Sequence, residues 1–160
     1  KQIEDLLAQL TQETEIQTAV LRPGNLYGPE SLTGRAKGII TSGLLSIFHR
    51  EPFTCIGDGS TIRDFIHVDD VVSAIESAMN SPQKEIIWNV GTGIGYSVNE
   101  VLKMILACVP DYPLEIRSIP ARPTDVSTNI LAIDQIKRET SWTPEIKLAQ
   151  GLQDLIPPLF

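Results

Sequence analysis

Apolar positions along the 160-residue chain alternate between a spacing typical of helices and one typical of strands. The opening stretch KQIEDLLAQL places Ile3, Leu6, Leu7 and Leu10 on one helical face, and IQTAVLR at 16–22 is a β-branched run typical of a strand. Further helices are predicted at 34–50, 69–80, 97–109, 129–141 and 147–156, and further extended segments at 53–56, 62–68, 86–90 and 113–120. This alternation predicts an α/β fold.

Two of the predicted helices begin with capping residues. Asp69 or Asp70 is placed to cap the helix at 69–80. In SVNE, Ser97 and Glu100 have the spacing of a capping box, in which each side chain accepts a backbone N–H at the helix start and the cap contributes about 1 kcal/mol.

Three alternate glycines, Gly91, Gly93 and Gly95, follow a predicted strand, as in the phosphate-binding turn of a dinucleotide-binding βαβ unit. That fingerprint needs a small residue where Tyr96 stands, because the helix must pack closely on the strand. It also needs an acidic residue ending a second strand about 20 residues further on, and Asp111 precedes its strand. We therefore predict a structural turn rather than a phosphate site.

Composition and charge narrow the class of protein. The chain is 42% hydrophobic with a net charge of −7, which indicates a globular domain and disfavours binding to nucleic acid or to an anionic membrane. No apolar run approaches the roughly 18 residues of a transmembrane helix. Cys55 and Cys108 are isolated and predicted to be reduced thiols of a cytoplasmic protein, and with His49 and His67 they form no metal-ligand spacing.

Catalytic motifs are sparse. There is no Gly-x-Ser-x-Gly elbow and no Walker loop. None of the three tyrosines, Tyr27, Tyr96 and Tyr112, has a lysine four residues later. His67 stands alone in an extended apolar segment, where a histidine is more often structural than a general base.

Arginines in loop settings are the strongest chemical signal. Arg22 precedes PGN, Arg63 follows GDGST, and Arg122 lies in PARPTD. A guanidinium held on a rigid loop suits bidentate phosphate binding. The alternative is that each arginine pairs with a nearby acid such as Asp64 or Asp125. Three such positions in one acidic domain favour an anion site.

Four blocks of sequence together resemble the NAD-dependent epimerase/dehydratase family, the extended short-chain dehydrogenases that act on nucleotide sugars. They are LRPGNLYGP, GDGSTIRDFIHVDDVVSAI, NVGTGIGYSVNEVL and RPTDVSTNILAIDQIKRETSWTPEIKLAQGL. The resemblance covers nearly the whole chain but only the C-terminal half of the family. It implies a small mixed α/β substrate-binding domain without the N-terminal Rossmann part, in which 1–28 would be the last helix and strand of the cofactor domain and 29–160 mainly the substrate domain.

The resemblance implies roles for several substrate-binding residues. Asn25 matches the asparagine that binds the sugar nucleotide near its diphosphate, and Arg63 matches the arginine that clamps the diphosphate. Arg122 matches a second phosphate-side arginine. Asp125 matches the acid that reaches the nucleotide ribose.

Further matches are less specific. Thr54 and Ile56 lie on the strand whose backbone reads the base in the family. Gly38 begins a helix facing the diphosphate, where a helix N-terminus favours an anion. Pro23 and Gly24 fall where backbone lies close to the nicotinamide of NAD.

The family also suggests what lies upstream. A glutamate commonly follows the catalytic lysine by four positions, so Glu4 would place that lysine just before Lys1, although Lys1 itself is an alternative. The opening helix would then belong to the dimer interface of a homodimeric parent enzyme, and we expect the chain to be a piece of that longer protein. Without the Tyr-x-x-x-Lys pair and the cofactor loop, we expect it to be inactive and, with apolar surface uncovered on the opening helix and first strand, to self-associate.

The resemblance leaves the reaction open. Family members oxidise a UDP- or dTDP-sugar transiently with bound NAD. The first hypothesis is the nucleotide-sugar-binding part of an epimerase like UDP-glucose 4-epimerase. The alternatives are a dehydratase, decarboxylase or reductase of the same family, or a non-catalytic module that binds nucleotide sugars.

Overall fold

The structure is a computed structural model that describes residues 2–29 and 38–156. Its helices are α1 Gln2–Glu13, α2 Ile39–His49, α3 Val68–Met79, α4 Val98–Cys108, α5 Asp134–Glu139 and α6 Leu148–Leu155. Its strands are β1 Thr18–Pro23, β2 Asn25–Tyr27, β3 Phe53–Ile56, β4 Ile62–His67, β5 Glu85–Val90, β6 Gly95–Ser97, β7 Ile116–Ile119 and β8 Thr128–Asn129. The predicted α/β class is confirmed.

The strands form three small sheets. β1 pairs in parallel with β5, and β3 pairs in parallel with β7. The third sheet is built on β4, whose last three residues pair in parallel with β2. Its first residues lie between antiparallel β6 and parallel β8. β4 therefore joins segments that are more than 100 residues apart in sequence.

Three clusters of buried side chains hold these layers together. The first lies between α2, α4 and α6, against Tyr27 and Phe65. The second lies between the β1–β5 sheet, α3 and α5, around Trp88 and Trp142. The third is small and joins β3 to the start of α4 through Phe53, Cys55, Val98 and Leu102.

The helix predicted at 129–141 is wrong in its first part. Thr128 and Asn129 form β8, because they pair with Ile62 and Arg63 of β4, and the helix begins only at Asp134. Pairing with a distant strand here overrides the local helical pattern. The part of the predicted helix at 34–50 that precedes residue 38 lies outside the described residues, as does Lys1.

The predicted cap of α3 is also wrong. His67 is the N-cap, and its Nδ1 accepts the backbone N–H of Asp69 at 3.3 Å. Asp70 instead turns inward and is buried, and its carboxylate accepts the backbone N–H groups of Glu145 and Ile146 at 2.9 and 3.2 Å. Asp70 therefore fastens the C-terminal segment to α3.

The capping box at the start of α4 is confirmed. The Ser97 hydroxyl accepts the Glu100 N–H at 3.2 Å, and the Glu100 carboxylate accepts the Ser97 N–H at 2.7 Å. These hydrogen bonds lower the pKa of Glu100. Cys55 and Cys108 are free thiols, as predicted.

Apolar side chains are exposed on α1 and α3. Ile3 and Leu6 on α1 are 74% and 66% exposed, and Met79 on α3 is 79% exposed. Uncovered apolar surface on the opening helix was predicted and is confirmed, whereas self-association stays a prediction. Within the described ranges, no helix is long and apolar enough to span a bilayer.

Candidate ligand-binding cleft

A cleft of about 290 Å³ opens beside β3, the first turn of α2 and the start of β4. We call it the Arg63 cleft. Five of its lining residues were predicted from sequence as substrate-binding residues: Asn25, Thr54, Ile56, Arg63 and Asp125. The remaining lining residues are Ile39, Ser42, Phe53, Cys55, Thr61 and Val98.

Strand pairing on β4 brings the polar side of the cleft together. Asn25 of β2 lies opposite Phe65, two residues from Arg63. Arg63 itself lies between Tyr96 of β6 and Asn129 of β8. Asn25 and Asn129 are 104 positions apart in sequence, and they come together at β4 because this short strand pairs on both edges.

Asp125 is held at the cleft by a closed turn. The Asp125 N–H donates to the Arg122 carbonyl at 3.0 Å, and the Asp125 carboxylate accepts the Arg122 N–H at 3.1 Å. The Ile62 N–H donates to the Ser127 carbonyl at 2.8 Å, which ties this turn to β4. The Asp125 carboxylate is therefore positioned near Arg63 by backbone contacts.

Arg63 is half-buried, and its guanidinium donates to the carbonyl of Ile62 at 2.7 Å. Among the described residues, no carboxylate forms an ion pair with it. The alternative that Arg63 pairs with Asp64 is wrong, because the Asp64 carboxylate is occupied by backbone amides. The Arg63 guanidinium therefore keeps donors for an anion.

The Asp64 carboxylate is bound by the turn that contains Gly91 and Gly93. The Asp64 carboxylate accepts the N–H groups of Thr92 and Gly93 at 2.9 and 3.0 Å and the Thr92 hydroxyl at 2.6 Å. Gly93 has φ +72°, and a Cβ at Gly91 would lie 2.5 Å from the Asp64 carboxylate. The predicted structural role of the turn is confirmed: its amides bind the protein's own carboxylate. The turn leads into β6 before α4 begins.

The other two arginines lie outside the cleft. Arg22 donates through Nε and Nη2 to both carboxylate oxygens of Glu4, each at 2.7 Å. For Arg22 the ion-pair alternative is therefore the observed one, with a partner 18 residues away. Arg122 is exposed, and its side chain does not line the cleft.

Three predicted binding residues, Gly38, Pro23 and Gly24, do not line the Arg63 cleft. Gly38 is the exposed N-cap of α2, and its neighbour Ile39 lines the cleft. Gly24 lies between β1, which ends at Pro23, and β2, and a Cβ there would lie 2.8 Å from the Asp64 carbonyl oxygen. Gly24 is thus required by close approach of two strands, and Pro23 and Gly24 do not line the Arg63 cleft.

Sequence reasoning missed the apolar wall of the cleft. Phe53 and Cys55 are buried and alternate with the exposed Thr54 and Ile56 on β3, so the two-residue period of a strand could have indicated them. Val98 could be found only through the packing of α4 on β3. Burial raises the pKa of the Cys55 thiol and keeps it neutral.

The lining indicates what the cleft can do. One side is apolar, and the other combines a cation with amide, hydroxyl and carboxylate groups. This suits a flat ring joined to an anion. Its described lining contains no His, Lys or Tyr, so the chemistry supported here is binding rather than proton transfer.

A larger groove of about 650 Å³ lies between α3 and the segment at 139–146, and we call it the α3 groove. Five acidic residues line it: Asp69, Asp70, Glu76, Glu139 and Glu145. None of its described lining residues is basic. The α3 groove is therefore unsuited to an anionic ligand.

Comparison with known proteins identifies the family. Residues 2–91 match the model of the NAD dependent epimerase/dehydratase family. The chain belongs to this family, and the resemblance seen in its sequence blocks is confirmed.

Individual relatives have different activities. The chain is 29% identical to a UDP-glucose 4-epimerase of Mycolicibacterium smegmatis over 86% of this chain and 44% of that protein. It is 30% identical to a dTDP-4-dehydro-6-deoxy-D-allose reductase of Streptomyces bikiniensis, over 94% of this chain and 46% of that protein. The chain therefore spans about half the length of these relatives.

Solved structures agree with this assignment. The crystal structure of UDP-glucose 4-epimerase with UDP-glucose from Thermotoga maritima matches with a TM-score of 0.87 and 32% identity. The match covers 96% of this chain and 49% of that one. The mixed α/β fold of the described residues is thus the fold of half of such an enzyme.

Proposed function

We propose that this chain is the nucleotide-sugar-binding part of an NAD-dependent sugar-nucleotide epimerase similar to UDP-glucose 4-epimerase. The carrying observation is that five residues, to which the family resemblance gave substrate-binding roles, line one cleft around an arginine with no described acidic partner. Membership of a family that includes epimerases and a dTDP-sugar reductase supports the same class of ligand.

In the proposed complex, the diphosphate binds the Arg63 guanidinium through paired N–H donors, with the Asn25 amide beside it. The base lies against the apolar wall of Phe53 and Val98, next to the backbone of β3. The Asp125 carboxylate accepts a ribose hydroxyl. The chain is acidic and repels a diphosphate, so an arginine that is not paired with a carboxylate is needed to offset this repulsion.

The cofactor of the family is NAD, and the residues that this chain would offer it are Pro23 and Gly24. Pro23 ends β1, a strand of a parallel pair, and Gly24 follows it, and ligands of open α/β sheets bind at the carboxyl ends of strands. The Gly24 N–H already donates to the Val90 carbonyl at 2.9 Å, so contact would be through shape rather than through this amide. When bound, NAD supplies the hydride acceptor for transient oxidation of the sugar.

The whole enzyme would be a cytoplasmic homodimer, with the exposed apolar face of α1 in its interface. Ile3, Leu6 and Leu10 form this face. The isolated chain would bind ligand without turning it over, because no tyrosine in it has a lysine four residues later. Sedimentation at increasing concentration tests the interface: Leu6→Glu should reduce association, and a strictly monomeric native chain would contradict it.

A reductase or dehydratase acting on a dTDP-sugar is the second candidate, favoured by the relative from Streptomyces bikiniensis. Nucleotide preference and the product of the whole enzyme separate these reactions. Formation of a sugar epimer without net redox change supports the epimerase, and loss of water or consumption of a reduced nicotinamide supports the alternatives.

Calorimetric titration of UDP-glucose, dTDP-glucose and GDP-mannose into the chain tests the binding function. We expect one nucleotide class to bind, and Arg63→Ala to remove that binding. Equal binding of all three to the Arg63→Ala variant, or no binding of any of them to the native chain, would contradict the proposal.

A further inference from the structure

Asp64 is one of the most buried charged groups of the described chain, with 1% of its surface exposed. A buried carboxylate is costly unless its oxygens accept hydrogen bonds. Three backbone amides and one hydroxyl supply them: Thr92 N–H, Gly93 N–H, Thr92 O–H, and Leu131 N–H at 3.3 Å. Its hydrogen bonds thus come from backbone amides and one hydroxyl, and none of them comes from the adjacent arginine.

These donors come from the two segments that flank Arg63. Thr92 and Gly93 precede β6 by one intervening residue, and Leu131 follows β8 after one intervening residue. β6 and β8 are the strands that pair with Arg63 on its two sides. The Asp64 carboxylate therefore ties together both neighbours of the arginine at a point one residue away from it.

Backbone packing around Asp64 is equally close. Side chains at Gly24 and Gly91 would collide with the Asp64 carbonyl and carboxylate, respectively. Successive residues of a strand point to opposite faces, so fixing the Asp64 side chain in the protein fixes the direction in which Arg63 projects. Long arginine side chains lose considerable entropy on ordering, and a rigid base reduces that loss at binding.

We infer that Asp64 is a positioning residue for the anion cleft, which holds Arg63 in place for a nucleoside diphosphate by tying β6 and β8 to β4. This inference rests on the proposed function for its ligand. It assigns Asp64 no contact with that ligand, since the carboxylate faces amides and not the cleft.

Asp70 provides a matched control six residues away. It is also buried, at 4% exposed, and also accepts two backbone amides, those of Glu145 and Ile146. It lines the α3 groove and not the Arg63 cleft. If both aspartates only stabilise the fold, Asp64→Asn and Asp70→Asn should lower stability alike and leave Arg63 unaffected. If Asp64 also positions Arg63, only Asp64→Asn should affect Arg63.

The test compares UDP with uridine on Asp64→Asn, Asp70→Asn and the native chain, with binding followed by NMR. Uridine has no phosphate and does not need Arg63. We expect Asp64→Asn to weaken UDP about tenfold and to change uridine less than twofold, and Asp70→Asn to change neither. Equal weakening of both ligands by Asp64→Asn, or unchanged UDP binding, would overturn the inference.

A second variant and a second measurement allow the inference to be tested even if Asp64→Asn does not fold or UDP does not bind. If Asp64→Asn fails to fold, Thr92→Val removes one donor to Asp64 and should weaken UDP in the same direction by a smaller factor. The Arg63 Nε–H resonance of the ligand-free chain is recorded as well, and it should shift or broaden in Asp64→Asn but not in Asp70→Asn. If UDP does not bind the native chain, the proposed function fails, and this resonance alone decides whether Asp64 positions Arg63.

Discussion

Arg22 and Arg63 are both strand arginines of an acidic chain, but their surroundings assign them different uses. Arg22, on β1, donates hydrogen bonds to both carboxylate oxygens of Glu4 on α1, and its side chain is half exposed. Arg63, on β4, lies in a cleft and has no described acidic partner, although an aspartate follows it directly.

The difference depends on how each nearby carboxylate is satisfied. Glu4 has Arg22 as its charged partner, whereas the Asp64 carboxylate accepts hydrogen bonds from the amides of the glycine turn. A cation becomes available for a ligand when the fold supplies its acidic neighbour with other donors. The glycine turn thus contributes to anion binding without touching the anion.

Among variants that separate the two arginines, a large effect is expected when Arg63 is replaced by a residue of the same charge without the guanidinium group. Arg63→Lys should weaken UDP about tenfold, because an ammonium cannot form the paired, planar hydrogen bonds of a guanidinium. Arg22→Lys is the matched control and should leave the affinity unchanged. Calorimetry of both variants makes the measurement, and equal effects would show that net charge rather than geometry matters.

A smaller effect is expected from Asp125→Asn. The amide oxygen can still accept the Arg122 N–H, so the turn should remain closed. Loss of the charged acceptor for a ribose hydroxyl should weaken UDP about threefold. Unchanged affinity for UDP would remove Asp125 from the proposed contacts.

The Arg22–Glu4 pair should affect stability only, and in a pH-dependent way. The hydrogen bonds from Arg22 lower the pKa of Glu4 below its ordinary value. The contribution of the pair is therefore present above the ordinary glutamate pKa and is lost as the pH falls through the lowered pKa. Because both groups are near solvent, the effect should be small and should decrease with salt.

Urea unfolding of the native chain and of Glu4→Gln, measured from pH 7 to pH 3, checks this prediction. The two curves should converge at the acid end. The UDP affinity of Glu4→Gln should equal that of the native chain, because Arg22 does not line the Arg63 cleft. A gain in affinity would mean that any free arginine suffices.

The smallest effect is expected from Tyr27→Phe. The Tyr27 ring is buried against His67 at a centroid distance of 5.2 Å, and its hydroxyl has no hydrogen-bond partner among the described residues. Burial raises the pKa of Tyr27, so the hydroxyl is neutral. Removing an unpaired buried hydroxyl should leave stability equal or slightly higher. A clear loss of stability in thermal unfolding would indicate a partner for the hydroxyl.

Local patterns were sufficient for much of the fold. Helical spacing predicted α1, and the apolar, β-branched run at 86–90 predicted β5. The capping box of Ser97 and Glu100 depends on residues three apart, so it could be predicted from sequence alone.

Features that depend on distant contacts could not be predicted in this way. β8 exists because it pairs with β4, 66 residues away at Ile62 and Thr128. His67 caps α3 since Asp70 is used by the C-terminal segment instead. For the site, the resemblance indicated the residues around Arg63, but neither it nor the spacing indicated that Glu4 takes Arg22.

NMR mapping of UDP on the uniformly labelled chain tests the central claim most directly. The Arg63 Nε–H and the amides of Thr54, Ile56 and Asp125 should shift in a common saturable titration, and the Arg22 Nε–H should stay in place. Shifts that leave Arg63 unchanged, or that cluster at residues 91–93 of the glycine turn instead, would contradict the account.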